Sequence, residues 1–260
     1  LLWEHNTLSI QSKITISRYY FINKRLIKYF YSQANRIVVV SKGIKDDLVS
    51  SFNISEKYIS VIYNPVYNYS IIKSSNIKDR DINFITTPYL VAVGRLVMQK
   101  NYFNLIEAFK ILIGSKKIND INLIIIGDGK EKNSIVQRIN QLKLNNYINL
   151  TGFLANPLPL IKNAVAVVLS SDWEGLPTIL IEALSLKKQI VSTDCPNGPR
   201  EILDNGKFGL LVPMNNPEKL AEGISKIING EVKFDEGLLL QRAKYFSIEK
   251  SFNQFMEIIH

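Results

Sequence analysis

An apolar run, Ala164–Leu169, passes through a turn carrying Glu174 and Gly175 to Pro177, and a helical pattern begins there. A short, unbroken apolar run reads as a strand buried on both faces, and proline is at home where a helix starts. The same order recurs along the chain. Leu90–Val93 is a strand of the buried type; Gly94-Arg95-Leu96 and Gln99-Lys100-Asn101 follow it. Leu105, Ile106, Ala108, Phe109 and Leu112 then recur at helical spacing. Asn122–Ile126 precedes Gly127-Asp128-Gly129 and a helix from Glu131 to Leu142. Ile148–Phe153 and Gln189–Asp194 are further strands. The second enters Cys195-Pro196-Asn197-Gly198-Pro199, dense in turn formers, and a short helix from Arg200 to Leu203. Pro217–Ile228 is helical, and Ser247-Ile248-Glu249 opens a last amphipathic helix. Strand, turn and helix repeated in this way specify an α/β fold.

Sheets of that class bind ligands at the carboxyl ends of their strands. Arg95 and Lys100 follow the first strand of such a unit. Arginine offers a planar fork to phosphate oxygens and lysine a mobile point charge. Glu174 lies on a turn and Glu182 eight residues later on the helix. That spacing puts one carboxylate on the loop and one on the helix wall, able to hold the hydroxyls of a sugar at one end and of a ribose at the other. The helix N-terminus between them supplies N–H groups and a positive dipole end that suit phosphate. The plain alternative is solvated surface charge at both places. Gly127-Asp128-Gly129 lacks the third glycine of a dinucleotide fingerprint, since Lys132 stands there, and a tight turn accounts for it.

Glu174-x7-Glu182 resembles the signature of the retaining, nucleotide-sugar-dependent glycosyltransferases of family four, which have the GT-B fold. Gly94-Arg95 with Lys100-Asn101, Gly127-Asp128-Gly129, Gly152-Phe153 and Gly198-Pro199-Arg200-Glu201-Ile202 extend the resemblance. It implies a catalytic set of Arg95 and Lys100 on the donor diphosphate and Glu174 on the donor sugar. It implies donor binding by Gly94, Gly127, Phe153, Gly175, Leu176, Pro177, Glu182, Gly198 and Arg200, with Glu182 on the ribose. Three of the assignments have alternatives. Phe153 sits beside the base or in the core; Arg200 meets the donor or a structural carboxylate; His5 lines the cleft or bonds its own loop. No cofactor and no metal are implied.

The resemblance also implies an organisation. Residues 1–65 are the end of an N-terminal, acceptor-side Rossmann-like domain, and 66–87 a polar linker. Residues 88–245 are a complete C-terminal nucleotide-sugar-binding domain, and 246–260 a helix crossing back to the first. The chain opens without methionine or the family's Gly-rich first loop, and so reads as truncated at its N-terminus.

Composition narrows the partners. The chain is 46% apolar, enough for a real core, and its net charge is +9. A basic balance suits a diphosphate donor, an anionic membrane surface or nucleic acid. The basic residues are spread out and no aromatic–basic RNA motif is present, which disfavours nucleic acid. The single cysteine, Cys195, excludes an internal disulfide, fits a reducing cytoplasm, and reads as incidental. No run reaches the roughly 18 apolar residues of a membrane span, and no signal peptide is visible. Asp79-Arg80-Asp81 lies in the polar linker, not at a strand end, and reads as solvated. With only His5 and His260 there is no zinc spacing. A helix over Ile16–Ala34 mixes Arg18, Lys24, Arg25 and Lys28 with aromatics, either packing them inward or lying on an anionic membrane.

The expectation is therefore transfer of a sugar, with retention, from a UDP-linked donor to a glycan or lipid-linked acceptor. The setting would be surface polysaccharide synthesis in the cytoplasm, at the inner face of the membrane. A non-catalytic nucleotide-sugar-binding relative and a nucleotide-sugar epimerase are the alternatives.

Overall fold

The computed structural model describes residues 1–15, 20–77, 87–115 and 120–259. Among these, the strands form two parallel sheets. The first has the order β1 (Leu2–Glu4), β2 (Ile37–Val39), β3 (Ile59–Val61). Helices α1 (Leu8–Thr15) and α2 (Tyr20–Ser32) connect its first two strands and α3 (Lys42–Phe52) the last two. Ser41 starts α3 by accepting from the N–H of Ile44, and Asn53 ends it in the left-handed conformation. Of the helix expected over Ile16–Ala34, α2 supplies Tyr20–Ser32, while α1 is a separate helix that ends at Thr15. Arg18 lies outside the described residues, as do Asp79-Arg80-Asp81 and His260.

After β3 comes α4 (Tyr69–Ser75), inside the stretch 66–87 expected as a polar linker. Asn68 caps it by accepting from the N–H of Ile71, and Ile71 is buried. Two adjacent isoleucines in a polar sequence are too few to show a helical period, so packing, not pattern, makes this helix.

The second sheet contains β4 (Tyr89–Val93), β5 (Asn122–Ile126), β6 (Ile148–Gly152), β7 (Ala166–Leu169), β8 (Gln189–Thr193) and β9 (Leu210–Val212). Their order is β6-β5-β4-β7-β8-β9, all parallel. Alternate residues of each strand enter different cores, which is why the runs are continuously apolar. Val91, Ile124, Val167 and Ile190 join one cluster, with Leu180 and Leu239. Leu90, Leu123, Ala166 and Val191 join the other, with Leu105 and Leu220. The helices supplying these covers are α5 (Tyr102–Gly114), α6 (Lys132–Gln141), α7 (Leu158–Asn163), α8 (Thr178–Ser185), α9 (Pro199–Ile202), α10 (Pro217–Ile228) and α11 (Glu236–Ala243).

The last helix, α12 (Ile248–Ile259), lies against the first sheet. Ser251 Oγ donates to the carbonyl of Tyr63 at 2.8 Å, and Phe255 stacks on Trp3 at 5.9 Å. Strand order reverses between β4 and β7, so their carboxyl ends form the switch point where such a sheet opens a crevice.

Candidate active site

The turns after β4 and β7 are stitched together across that crevice. Asn101 caps α5 from a left-handed backbone, φ 43°, and its amide donates to Asp172 Oδ1 at 2.8 Å. The Asp172 N–H donates to the Gln99 carbonyl at 2.9 Å, and Gln99 Nε2 returns a bond to the Trp173 carbonyl at 2.8 Å. Ser170 Oγ donates to the Lys100 carbonyl at 2.8 Å. The result is that Lys100 Nζ sits 2.6 Å from Glu174 Oε1, and the Ser171 hydroxyl donates to the same oxygen at 2.6 Å. Glu174 is only 6% exposed. A carboxylate so far from water needs its cation and its hydroxyl donor.

Glycines let these turns close. Gly127 has φ 145°, and a Cβ there would overlap the Gly94 carbonyl. A Cβ on Gly175 would overlap the carbonyl of His5, which comes from the other half of the chain. Thr7 Oγ1 reaches across the same junction and donates to the Glu174 carbonyl at 2.8 Å.

These elements enclose a cleft of about 630 Å³. Gly94, Arg95 and Lys100 line it from β4, and Gly127 and Phe153 from the ends of β5 and β6. Glu174, Gly175, Leu176, Pro177 and Glu182 line it from the β7–α8 turn and α8, and His5 faces them from the first half. Glu182 is largely buried, and burial pushes its carboxyl above the usual carboxylate range. Neither Glu182 nor Arg95 makes a side-chain hydrogen bond or ion pair among the described residues. No side chain caps the first turn of α8, where Thr178 and Ile179 also line the cleft. Uncapped N–H groups, two cations and three carboxylates, Asp128 among them, thus meet in one space, a donor set suited to a phosphorylated polyhydroxyl ligand.

Phe153 is 77% exposed, so it belongs to the rim of the cleft and not to the core. His5 stacks on Trp3 at 6.1 Å, and its N–H donates to Glu4 Oε1 at 2.8 Å, while it also lines the cleft. The structure does not bring Gly198 and Arg200 to this cleft. Gly198 packs behind its wall, against Pro177 and the Gly175 carbonyl. Arg200 pairs with Asp194, the structural-carboxylate alternative, and lines a separate cavity of about 650 Å³. Cys195 is buried, which pushes its thiol up and away from reactivity. Among the described residues no three His, Cys, Asp or Glu side chains gather as a metal site, and no helix is long and apolar enough to cross a membrane.

Ser171, Thr7 and Asp172 were not singled out from the sequence, and Gln99 and Asn101 entered it only as neighbours of Lys100. Their roles are to hold Lys100 and Glu174, through contacts between distant segments for Thr7, Gln99, Asn101 and Asp172 and within the turn itself for Ser171.

A family model described as Glycosyl transferases group 1 matches residues 75–244, and one described as Glycosyltransferase Family 4 matches residues 3–67. An uncharacterized glycosyltransferase of Methanocaldococcus jannaschii is 32% identical, over 100% of this chain and 71% of its own length. The N-acetylgalactosamine-N,N'-diacetylbacillosaminyl-diphospho-undecaprenol 4-alpha-N-acetylgalactosaminyltransferase of Campylobacter jejuni is 31% identical, over 81% of this chain and 55% of its own. Anabaena HepE, solved in complex with UDP-glucose, shares the fold with a TM-score of 0.82 at 19% identity, covering 99% of this chain and 71% of that one.

Proposed function

The chain belongs to the glycosyl transferases of group 1 and has their GT-B fold, and on that premise we propose that it serves a retaining transfer of sugar from UDP. The acceptor is a glycan or lipid-linked glycan of surface polysaccharide synthesis, met at the inner face of the membrane. The observation that carries this reading is the convergence of Arg95, Lys100, Glu174 and Glu182 on one cleft at the switch point. The Campylobacter relative, named for a diphospho-undecaprenol-linked acceptor, and the Anabaena complex with UDP-glucose support the acceptor and donor classes.

In this reading Arg95 and Lys100 hold the donor diphosphate. Negative charge develops there as the bond to the sugar breaks, so fixed cations stabilise the transition state more than the ground state. These side chains do the neutralising, with no metal ion and no cofactor. Glu174, already fixed by Lys100 and Ser171, accepts from the sugar hydroxyls. The N–H groups at the start of α8 add to the grip on the diphosphate. Glu182 accepts from the ribose hydroxyls, and exposed Phe153 borders the base. No covalent nucleophile is assigned.

Calorimetric titration with UDP tests the donor site. Glu182→Ala and Arg95→Ala each lose about 1–3 kcal/mol of binding if they contact hydroxyls or phosphate as described. Undiminished affinity in both variants would remove the assignment.

A further inference from the structure

Glu4 is a buried carboxylate outside the cleft. It ends β1, is 9% exposed, and does not line the space that His5 and Asn6 face. Among the described residues it makes no ion pair, and hydrogen-bond donors meet its charge instead. Oε1 accepts from the N–H of His5 at 2.8 Å and from the N–H of Asn6 at 2.7 Å, and Oε2 accepts from the Tyr31 hydroxyl on α2. We infer that Glu4 is a positioning residue for sugar transfer, which sets His5 and Asn6 against the donor and is itself steadied by Tyr31. This inference rests on the donor-site reading above.

An apolar side chain is the ordinary occupant of so buried a place. A carboxylate there is costly unless donors replace its hydration. Two of its donors are backbone groups of residues that line the cleft, so the charge is satisfied only while the chain bends back directly after Glu4. Bonds to a charged acceptor are the stronger kind, which makes the bend a firm one. Burial first, and then the bond to Glu4, push the Tyr31 phenol above its usual range. It therefore keeps its proton and remains a donor to the carboxylate.

Successive side chains of a strand point to opposite faces. Glu4 turns toward α2, where Tyr31 meets it, and Trp3 and His5 turn the other way, where Phe255 of α12 stacks on Trp3 and Trp3 on His5. Beyond the bend, the His5 carbonyl lies so near Gly175 that a Cβ there would overlap it, and Thr7 Oγ1 donates to the Glu174 carbonyl at 2.8 Å. Residues 5–7 are thus held from behind by Glu4 and from in front by the β7–α8 turn. The buried carboxylate touches no donor atom, yet it fixes how the His5 ring and Asn6 stand opposite Arg95, Lys100 and Glu174. Small displacements of such a wall are what transfer chemistry tolerates least.

The chain has two histidines, His5 and His260, so imidazole NMR signals report on His5 once His260→Gln has identified the other. Spectra of the whole chain are recorded with and without saturating UDP for the unmodified protein, Glu4→Ala, Glu4→Gln and Tyr31→Phe, with urea unfolding as the control for folding. In the unmodified protein the His5 signal is expected to carry the ring-current shift of the stacked Trp3 and to move when UDP is added. Glu4→Ala should lose most of that shift and most of the response to UDP. Glu4→Gln, whose amide oxygen still accepts from the two N–H groups, should restore both. A role in stability alone would lower the urea midpoint of Glu4→Ala and leave the His5 signal and its response unchanged, which overturns the inference. If Glu4→Ala does not fold, Tyr31→Phe decides: a displaced His5 signal supports the inference and an unchanged one overturns it. A His5 signal that ignores UDP in an unmodified chain shown by calorimetry to bind it also overturns the inference, and leaves the UDP site standing. Failure of UDP to bind the folded, unmodified chain overturns the donor-site reading itself, and this inference with it.

Discussion

Arg95, Lys100, Glu174 and Glu182 divide into a pair that is internally satisfied and two groups that are not, and their variants should divide the same way. Lys100 and Ser171 hold the buried Glu174 carboxylate. Lys100→Ala leaves that charge without its cation, and an expected loss of about 3–5 kcal/mol in urea unfolding follows. A loss of a few tenths would contradict the structural half of its role. Glu182 is the opposite case. Burial raises its carboxyl, so the folded state binds its proton more tightly than the unfolded chain does. Stability then falls as pH rises through that raised pKa, and ionised Glu182 costs stability at neutral pH. Glu182→Gln removes the cost. It should melt about 1–3 °C higher than the unmodified chain at neutral pH, and the gap should close on acidification as Glu182 takes up its proton. Parallel melting curves at all pH values would count against this account. A residue kept at the expense of stability fits a ligand role better than a packing role.

At the scale of elements, the turns depend on close backbone approach. Gly127→Ala forces a Cβ onto the Gly94 carbonyl at an unfavourable φ, and should lower stability by about 2 kcal/mol or more. Gly114→Ala, where a Cβ meets nothing within 4 Å, should stay within about 0.5 kcal/mol or gain slightly. Equal thermal unfolding shifts for the two would deny the close approach its importance. The same elements show what a sequence reveals. β5 and α10 were readable to the residue, because one is Asn122 followed by four apolar residues and the other has Pro217 at its start and a strong helical period. α7 was left without a reading: it is six residues long with Pro157 at its N-cap and Pro159 in its first turn, although Leu160 and Ile161 are buried in the core. Arg95, Lys100, Glu174 and Glu182 were legible because an α/β sheet gathers its strand ends in one place. Thr7 was not, since a hydroxyl that meets its partner 167 residues away leaves no local signal, and Ser171, three residues before Glu174, was not because only the buried turn aims its hydroxyl at that carboxylate. Arg200 was ambiguous for the same reason: only the folded chain shows Asp194 beside it.

The two halves act as one body around the cleft. Asn197 Nδ2 donates to Thr7 Oγ1 at 2.5 Å, and Thr7 in turn holds the Glu174 carbonyl. Glu201, just past the Gly198 loop, accepts from the first N–H of α3 at 3.0 Å on both oxygens, where the helix dipole favours a carboxylate. Tyr63 donates to it at 2.5 Å. The first half therefore does more than face the cleft, because it fixes the loops that carry its charges. On this account the nucleotide is seated by the second sheet and the first half closes the far wall with His5 and Asn6. The most direct measurement is a crystal structure of the chain with UDP. The account predicts the diphosphate within hydrogen-bond reach of Arg95 and Lys100, with the ribose hydroxyls on Glu182. A nucleotide seated instead in the cavity of Arg200 and Arg242, or in the cleft with its diphosphate away from Arg95 and Lys100, would contradict it.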